Sequence, residues 1–410
     1  MRVIVQKFGG TSIATPEGRL RLSARVEAAL GEGLRPVVVV SAMGRRGDPY
    51  ATDTLLDFAR EHSPELPARE RDLLMACGEL ISAAVVTGVL VGRGIPARAL
   101  TGGQAGIRTD GRYGEAAIRG VDPRPLLGLL EQGMVPVVAG FQGEGPEGDF
   151  TTLGRGGSDT TAAALAGALR AESCEIYTDV DGLMTADPRV LPEAWPLPVA
   201  TYDEAAQMAH AGARVVHPRA VELAMQSQVP LRIRSTFSDA PGTLVTYAPE
   251  AAGLELAARR PQGPVTGVTY VPHLAQVQLE AAPEDGRSQE ALRRLAEAGI
   301  SIDLINLSPG WQVFCVDQGQ ADRARALLRD LGLSPRIRTG CAKVSVVGAG
   351  MRGRPGVMAT VVESLTRAGV TILQTADSHV TISCLVREED LAAAVRALHT
   401  GFGLGQAGGR

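Results

Sequence analysis

Aromatic residues are scarce in this chain of 410 residues: Phe, Trp and Tyr make up 4% of it. Its cores must therefore be built from aliphatic side chains. Cysteine is sparse too. Cys77, Cys174, Cys315, Cys341 and Cys384 are odd in number and never in CxxC spacing. That argues against a disulfide framework and points to buried, reduced thiols in a cytoplasmic protein. The six histidines include no HExxH pair, so no protein-held metal is expected. The net charge of −4, with no basic stripe, gives no footprint for nucleic acid. No apolar run is read as long enough to span a membrane, and no signal peptide precedes the first strand. Two nucleotide patterns are missing as well, GxxxxGKS/T and GxGxxG. The second absence excludes a Rossmann dehydrogenase.

What is present is a chain with 45% hydrophobic residues, well clear of disorder and too long for one ordinary core. Two or three domains are expected. Up to about residue 247, strand-like runs alternate with helical patterns. The strand-like runs are Val3–Val5, Val37–Ser41, Ala97–Leu100, Val135–Phe141, Cys174–Thr178 and Leu231–Arg234. Helical patterns cover 52–61, 68–92, 123–133, 158–170 and 203–210. Another opens at Thr15-Pro16-Glu17, with Thr15 as N-cap and Pro16 at the first helical position. This alternation predicts an α/β fold with a mostly parallel sheet sandwiched by helices. Residues 248–264 lose periodicity and read as a linker. Beyond it lies an internal repeat. AQVQLEA at Ala275 matches AKVSVVG at Ala342, and LAEAGISIDLINLSPGWQVFCV matches LTRAGVTILQTADSHVTISCLV without a gap. Each copy, 265–335 and 340–400, reads βαββα with a last strand supplied from elsewhere.

Three clusters carry chemistry. Lys7-Phe8-Gly9-Gly10-Thr11-Ser12 ends the first strand, where ligands of parallel sheets bind. Thr152-Leu153-Gly154-Arg155-Gly156-Gly157-Ser158-Asp159 sets an arginine among glycines at the start of a helix, which suits an anion. Asp159 either caps that helix or reads substrate, and the sequence leaves both open. Tyr177-Thr178-Asp179-Val180-Asp181-Gly182 with Thr185-Ala186-Asp187-Pro188-Arg189 is a strand end followed by acids and turn residues; Asx turns are the plainer reading of Asp181-Gly182. Glu79 stands alone in the apolar stretch Cys77-Gly78-Glu79-Leu80-Ile81.

Together these motifs resemble the amino acid kinase superfamily and, within it, the monofunctional aspartokinases with two C-terminal ACT domains. The resemblance covers essentially the whole chain. It implies transfer of the ATP γ-phosphoryl group to L-aspartate, with Mg²⁺ arriving on ATP. Lys7 would contact the transferring group, and Gly9 and Gly10 would let backbone close on the phosphates. Phe8, Ser41, Thr178, Asp179, Asp187, Pro188, Arg189 and Arg214 would complete the ATP site. Arg155 would bind the α-carboxylate of aspartate, with Gly156, Gly157 and Ser158 beside it. Glu79 and Asp159 would hold the α-ammonium, and Thr52 would position the β-carboxylate. A carboxylate is a nucleophile at neutral pH, so no general base is needed.

Two departures matter. The loop Gly44–Ala51 is longer than in many relatives, and Arg45 and Arg46 either touch phosphates or form a solvated tip. The ACT pair implies an amino-acid effector. The second copy keeps a Pro-Gly loop, so Met351, Pro355, Gly356, Val357, Gln374 and Thr375 are its candidate site. The first copy has Pro283-Glu284-Asp285-Gly286 instead and is either a second site or a structural partner. The resemblance also implies a homodimer or larger homo-oligomer. A separately translated C-terminal subunit would need a non-AUG start, since no methionine lies between Met225 and Met351. The alternatives are a sister kinase on the same fold and a silent amino-acid sensor. A silent sensor should have lost Lys7, Arg155 or Asp159, and all three are present.

Overall fold

The computed structural model describes residues 1–213, 215–247, 260–261, 263–280, 286–308 and 310–405. Most of the expected linker, Arg214, and Pro283, Glu284 and Asp285 of the first copy lie outside the described residues. The chain divides into two compact units.

The first unit is organised by an eight-stranded sheet. Its spatial order is Val199–Thr201, Thr243–Thr246, Leu231–Ser235, Ser173–Thr178, Val3–Phe8, Arg35–Val40, Val135–Ala139 and Ala97–Leu100. Every pairing is parallel except that of Leu231–Ser235 with Thr243–Thr246. β-branched runs such as Val37–Val40 are fully buried, as strands covered on both faces require. The chain lays its early strands to one side of Val3–Phe8 and its later strands to the other. The order therefore reverses beside the first strand, and the carboxyl ends there form the crevice where such sheets take ligands.

Helices follow the expected positions. Pro16–Gly31 starts where Thr15 accepts a hydrogen bond from the Gly18 N–H at 3.1 Å. Thr52–His62, Ala68–Gly92, Arg124–Glu131, Gly157–Ala168 and Tyr202–His210 come next, and Pro218–Gln226 is an addition. A small sheet was also not foreseen. It pairs Ile118–Val121, Ile107–Thr109, Gln142–Glu144 and Phe150–Thr152, whose three or four residues each are too short to show alternation.

The membrane expectation needs correcting. Ala68–Gly92 has 25 residues and is apolar enough to cross a bilayer by length and composition. Here Ala83, Val86 and Leu90 pack into the core under the sheet, and Asp72, Glu79 and Ser82 are buried on the same helix.

The second unit contains Met184–Trp195, His210–Ala213 and the chain from Arg260 onward. Two short segments from within residues 1–247 thus cluster with the C-terminal repeat. The repeat forms one six-stranded sheet in the order Asp303–Ser308, Trp311–Asp317, Gly267–Glu280, Arg336–Val347, Thr381–Arg387 and Gln374–Asp377. The missing last strands are exchanged. Leu274–Glu280 pairs within the first copy, but Gly267–Val271 of the same strand pairs with Lys343–Val347 of the second. Conversely, Arg336–Arg338 adds to the first copy, and Cys341–Val347 continues into the second. The crossover falls at a register shift, where His273 takes a φ of 59°. Accordingly Val268 packs in the core of the second copy, and Ile337 packs against that of the first.

The segment Met184–Trp195 is anchored inside this unit. Ala186 and Leu191 join the core of the second copy, and the Thr185 carbonyl accepts from the Val268 N–H at 2.8 Å. Thr185 Oγ1 meets the buried His399 Nε2 at 3.0 Å. Burial holds the His399 imidazole below its ordinary value of 6.5, against an opposing pull from Glu193. The unfolded chain therefore takes up a proton that the folded one resists, and stability is lost as pH falls below that value. The urea midpoint of unfolding should drop between pH 7.5 and 5.5, and drop less in His399→Gln. Equal drops in both proteins would assign the pH dependence to other groups.

Candidate active site

Lys7 lies one residue before the end of the first strand, on the face covered by helix Gly157–Ala168. Its Nζ reaches Asp159 Oδ1 at 2.7 Å, with the two side chains only 11% and 12% exposed. Asp159 stands in the first turn of that helix, where an acid meets the positive end of the dipole. It does not cap its own helix; Gly156 is the cap residue. The other carboxylate oxygen, Oδ2, accepts from the His217 N–H at 3.0 Å. Gly156 adopts a φ of 66°, and a Cβ there would fall 2.0 Å from His217 Cγ. That position admits only glycine.

The two glycines after Lys7 have different duties. Gly9 leaves room, since a Cβ would come no nearer than 3.6 Å to any neighbour. Gly10 is held against the chain itself. A Cβ there would lie 2.3 Å from the Ala42 carbonyl oxygen and 3.0 Å from that of Gly44. Packing alone thus demands a glycine at Gly10, which also lines a cavity of about 250 Å³ at this strand end. The Phe8 ring is fully buried and stacks on Tyr177 with centroids 4.6 Å apart, so only its backbone remains for a ligand.

A cavity of about 410 Å³ opens at this strand end, lined by Lys7, Ser41, Thr52, Asp53, Arg155, Gly156, Gly157, Ser158 and Asp159, with Leu56, Met75 and Phe141 as apolar wall. Arg155 is exposed in it. An adjoining cavity of about 250 Å³ shares Ser41, Thr52 and Asp53 and holds Glu79, Arg45 and Arg46. Glu79 is buried, and its Oε1 accepts from the Ala42 N–H at 3.0 Å. Oε2 has no hydrogen-bond partner among the described residues. Burial pushes the carboxyl up to about 8, only partly offset by the Ala42 bond.

Thr178 ends the strand Ser173–Thr178, beside Lys7, and donates to Asp179 Oδ1 at 3.2 Å. Asp179 also pairs with Arg45 at 2.9 Å, and Arg46 pairs with Asp57 at 3.0 Å. Both arginines are exposed, yet both have carboxylate partners. Asp187, Pro188 and Arg189 belong to the second unit. Asp187 makes an Asx turn with the Arg189 N–H at 2.9 Å, a salt bridge to the same guanidinium at 2.7 Å, and a hydrogen bond from the Tyr270 hydroxyl at 3.0 Å. Arg214, expected to join this group, lies outside the described residues.

Of the candidate effector residues, Met351 and Val357 have core side chains. Gly356, at φ 92°, caps helix Val357–Arg367, with exposed Pro355 before it. Gln374 is buried. Its amide donates to the Leu304 carbonyl and to Asn306 Oδ1, and accepts from Gln276 Nε2 at 3.0 Å. It thereby ties the two outermost strands together, and Thr375 follows on the same edge strand. Sequence reasoning missed Asp53, Phe141 and His217. Only Asp53, next to Thr52 at a helix start, gave a usable signal.

Residues 2–235 match the amino acid kinase family and residues 336–400 match an ACT domain. Aspartokinase 1 of Bacillus subtilis is 46% identical over 405 residues, covering 98% of this chain and all of that protein. The chain belongs to the aspartokinase family. Among solved structures, E. coli aspartokinase III in complex with aspartate and ADP (R-state) has a TM-score of 0.77 at 26% identity, covering 98% of this chain and 99% of that one. The same enzyme with lysine and aspartate (T-state) gives 0.74 at 27%, with the same coverage.

In this aspartokinase, Gly10→Ala should lower stability by about 1–3 kcal/mol through overpacking against Ala42. Gly9→Ala should leave the denaturation midpoint nearly unchanged while reducing phosphoryl transfer. A Gly10→Ala protein as stable as the native one would show that the backbone at Ala42 yields.

Proposed function

We propose that this aspartokinase works by placing Lys7, Arg155 and Glu79 around two adjoining cavities. It transfers the γ-phosphoryl group of ATP to the β-carboxylate of L-aspartate, giving 4-phospho-L-aspartate. What carries the reading of the site is Lys7 at the strand end, with Arg155 and the unpartnered Glu79 oxygen in adjoining cavities that share Ser41 and Thr52. Arg155 takes the α-carboxylate in a fork, Glu79 the α-ammonium, and Thr52 steadies the β-carboxylate. That carboxylate is already ionised and attacks without a base. Lys7 neutralises charge gathering on the transferring group, and Asp159 holds Lys7 in line. Gly9 permits the phosphates to approach. Thr178 and Asp179 line the nucleotide, and Asp187, Pro188, Arg189 and Arg214 are assigned to it on motif alone.

Mg²⁺ fits as a companion of ATP. Asp159 is occupied by Lys7 and Asp179 by Arg45, and among the described residues no group of three His, Cys, Asp or Glu could hold a metal ion. Phosphate oxygens and water would then be its main ligands. The C-terminal repeat is read as the seat of feedback inhibition by an amino-acid end product, received at the Pro355-Gly356 turn and the helix it caps. The assembly is read as a homo-oligomer, since Ile305, Leu307 and Trp311 stand exposed on or beside an edge strand. A cytoplasmic setting agrees with five free cysteines.

An ATP-dependent acyl-phosphate assay, with hydroxylamine as trap, tests the reaction. It should show turnover of aspartate, none of glutamate or N-acetylglutamate, and inhibition by lysine, threonine or meso-diaminopimelate. Turnover of another acceptor alone would make the chain a sister kinase. Lys7→Ala should lower kcat far more than it changes the aspartate KM, and Arg155→Ala the reverse.

Glu79 adds a pH signature. Binding an ammonium favours the ionised carboxyl, so below about 8 aspartate binding releases a proton. The aspartate KM should therefore fall as pH rises from 6.5 to 8, and the slope should vanish in Glu79→Gln. A slope unchanged by that substitution would remove Glu79 from the ammonium seat.

A further inference from the structure

We propose that Asp72 is a positioning residue for substrate recognition, setting the loop that carries Arg155. The inference rests on the reading of Arg155 as the seat of the α-carboxylate. Asp72 lies in the first two turns of helix Ala68–Gly92 and is fully buried. Its Oδ2 accepts from the Thr152 N–H at 2.7 Å and from the Gly114 N–H at 2.9 Å. Its Oδ1 accepts from the Thr152 hydroxyl at 3.1 Å. All three donors are neutral, and no cation pairs with it among the described residues. A buried carboxylate without a counter-charge is expensive to keep unless convergent N–H groups hold it, and here two meet on one oxygen.

What those donors belong to gives the contact its consequence. Thr152 ends the strand Phe150–Thr152, three residues before Arg155. Its carbonyl accepts from the Ala116 N–H at 2.8 Å, and the Leu153 N–H binds the Phe141 carbonyl at 2.8 Å. Gly114 lines the same cavity as Arg155. Asp72 therefore pins to one helix the strand end that leads into Arg155 and a second backbone segment of the same cavity wall. Glu79 is seven residues further along that helix. Seven residues make nearly two turns, so both acids share a face, about 10 Å apart along the axis. One rigid element thus fixes the seat of the ammonium directly and the seat of the carboxylate through Asp72. The helix sets the spacing at which a zwitterion is read.

Asp72→Ala, Asp72→Asn, Arg155→Ala and the double Asp72→Ala/Arg155→Ala test this in the hydroxylamine-trapping assay. Asp72→Ala should raise the aspartate KM on the order of ten- to a hundredfold, the size expected when a binding group is misplaced by about 1 Å. The ATP KM should change less than about twofold, since no part of the nucleotide site rests on Thr152. Asp72→Asn should restore most of the affinity. Its amide oxygen can keep the two N–H bonds while the NH₂ donates to a rotated Thr152 hydroxyl. The double variant should be little worse than Arg155→Ala alone, because Asp72 acts through Arg155. Should Asp72→Ala fail to fold, Thr152→Val replaces it in the cycle, with a smaller rise of about threefold expected from one lost bond. Full additivity with Arg155→Ala, or equal rises in both KM values, would overturn the proposal. An unchanged aspartate KM in Arg155→Ala would instead overturn the reading on which it stands, whatever Asp72 does.

Discussion

The ion pair between Lys7 and Asp159 is the contact from which the site is built. Two nearly buried charges are tolerable only when their geometry and remaining hydrogen bonds offset the water they have lost. Here the charges stand 2.7 Å apart, and the His217 N–H binds the second oxygen of Asp159. The pair locks the end of the central strand to the start of the helix that crosses it. Because the His217 backbone is fixed there, its ring leaves no space for a side chain at residue 156. Part of the glycine-rich run thus answers to packing around an ion pair, and the same run leaves the cavity open for a ligand.

Much of this architecture is legible in the sequence because burial on both faces has an unmistakable signature. Val37–Val40 could not be solvent-facing, and Thr15-Pro16 is a helix start under any tertiary context. What escapes is structure whose determinants are not local. Strands of three residues such as Gln142–Glu144 carry no period to detect. Ala68–Gly92 reads as a helix and no apolar run as a membrane span, but by length and hydropathy alone this helix qualifies as one; the burial of its acids is not local information.

The site divides in the same way. Lys7, Arg155 and Asp159 stand in motifs where composition itself is odd, with glycines crowding a charge, so each could be singled out. Glu79 could be noticed, but its role came from the resemblance alone; its burial and its unpaired second oxygen were not legible. Asp72 gave no sign. An acid in the first turns of a helix is what the dipole alone would favour, so its three donors are invisible from composition. Gly10 shows a second demand that motif reading does not reveal: the atoms that forbid a side chain there belong to Ala42 and Gly44.

The exchange of strands in the C-terminal sheet bears on how such a repeat could evolve. After a duplication, either copy can ordinarily decay or be deleted while the other persists. Here the strand Gly267–Glu280 completes both copies, and Arg336–Val347 does so in return. Losing one copy would strip a strand from its neighbour and expose a raw edge to any passing chain. Once the exchange was in place, the duplication became a ratchet. The two halves were free to diverge in what they bind, but neither could leave.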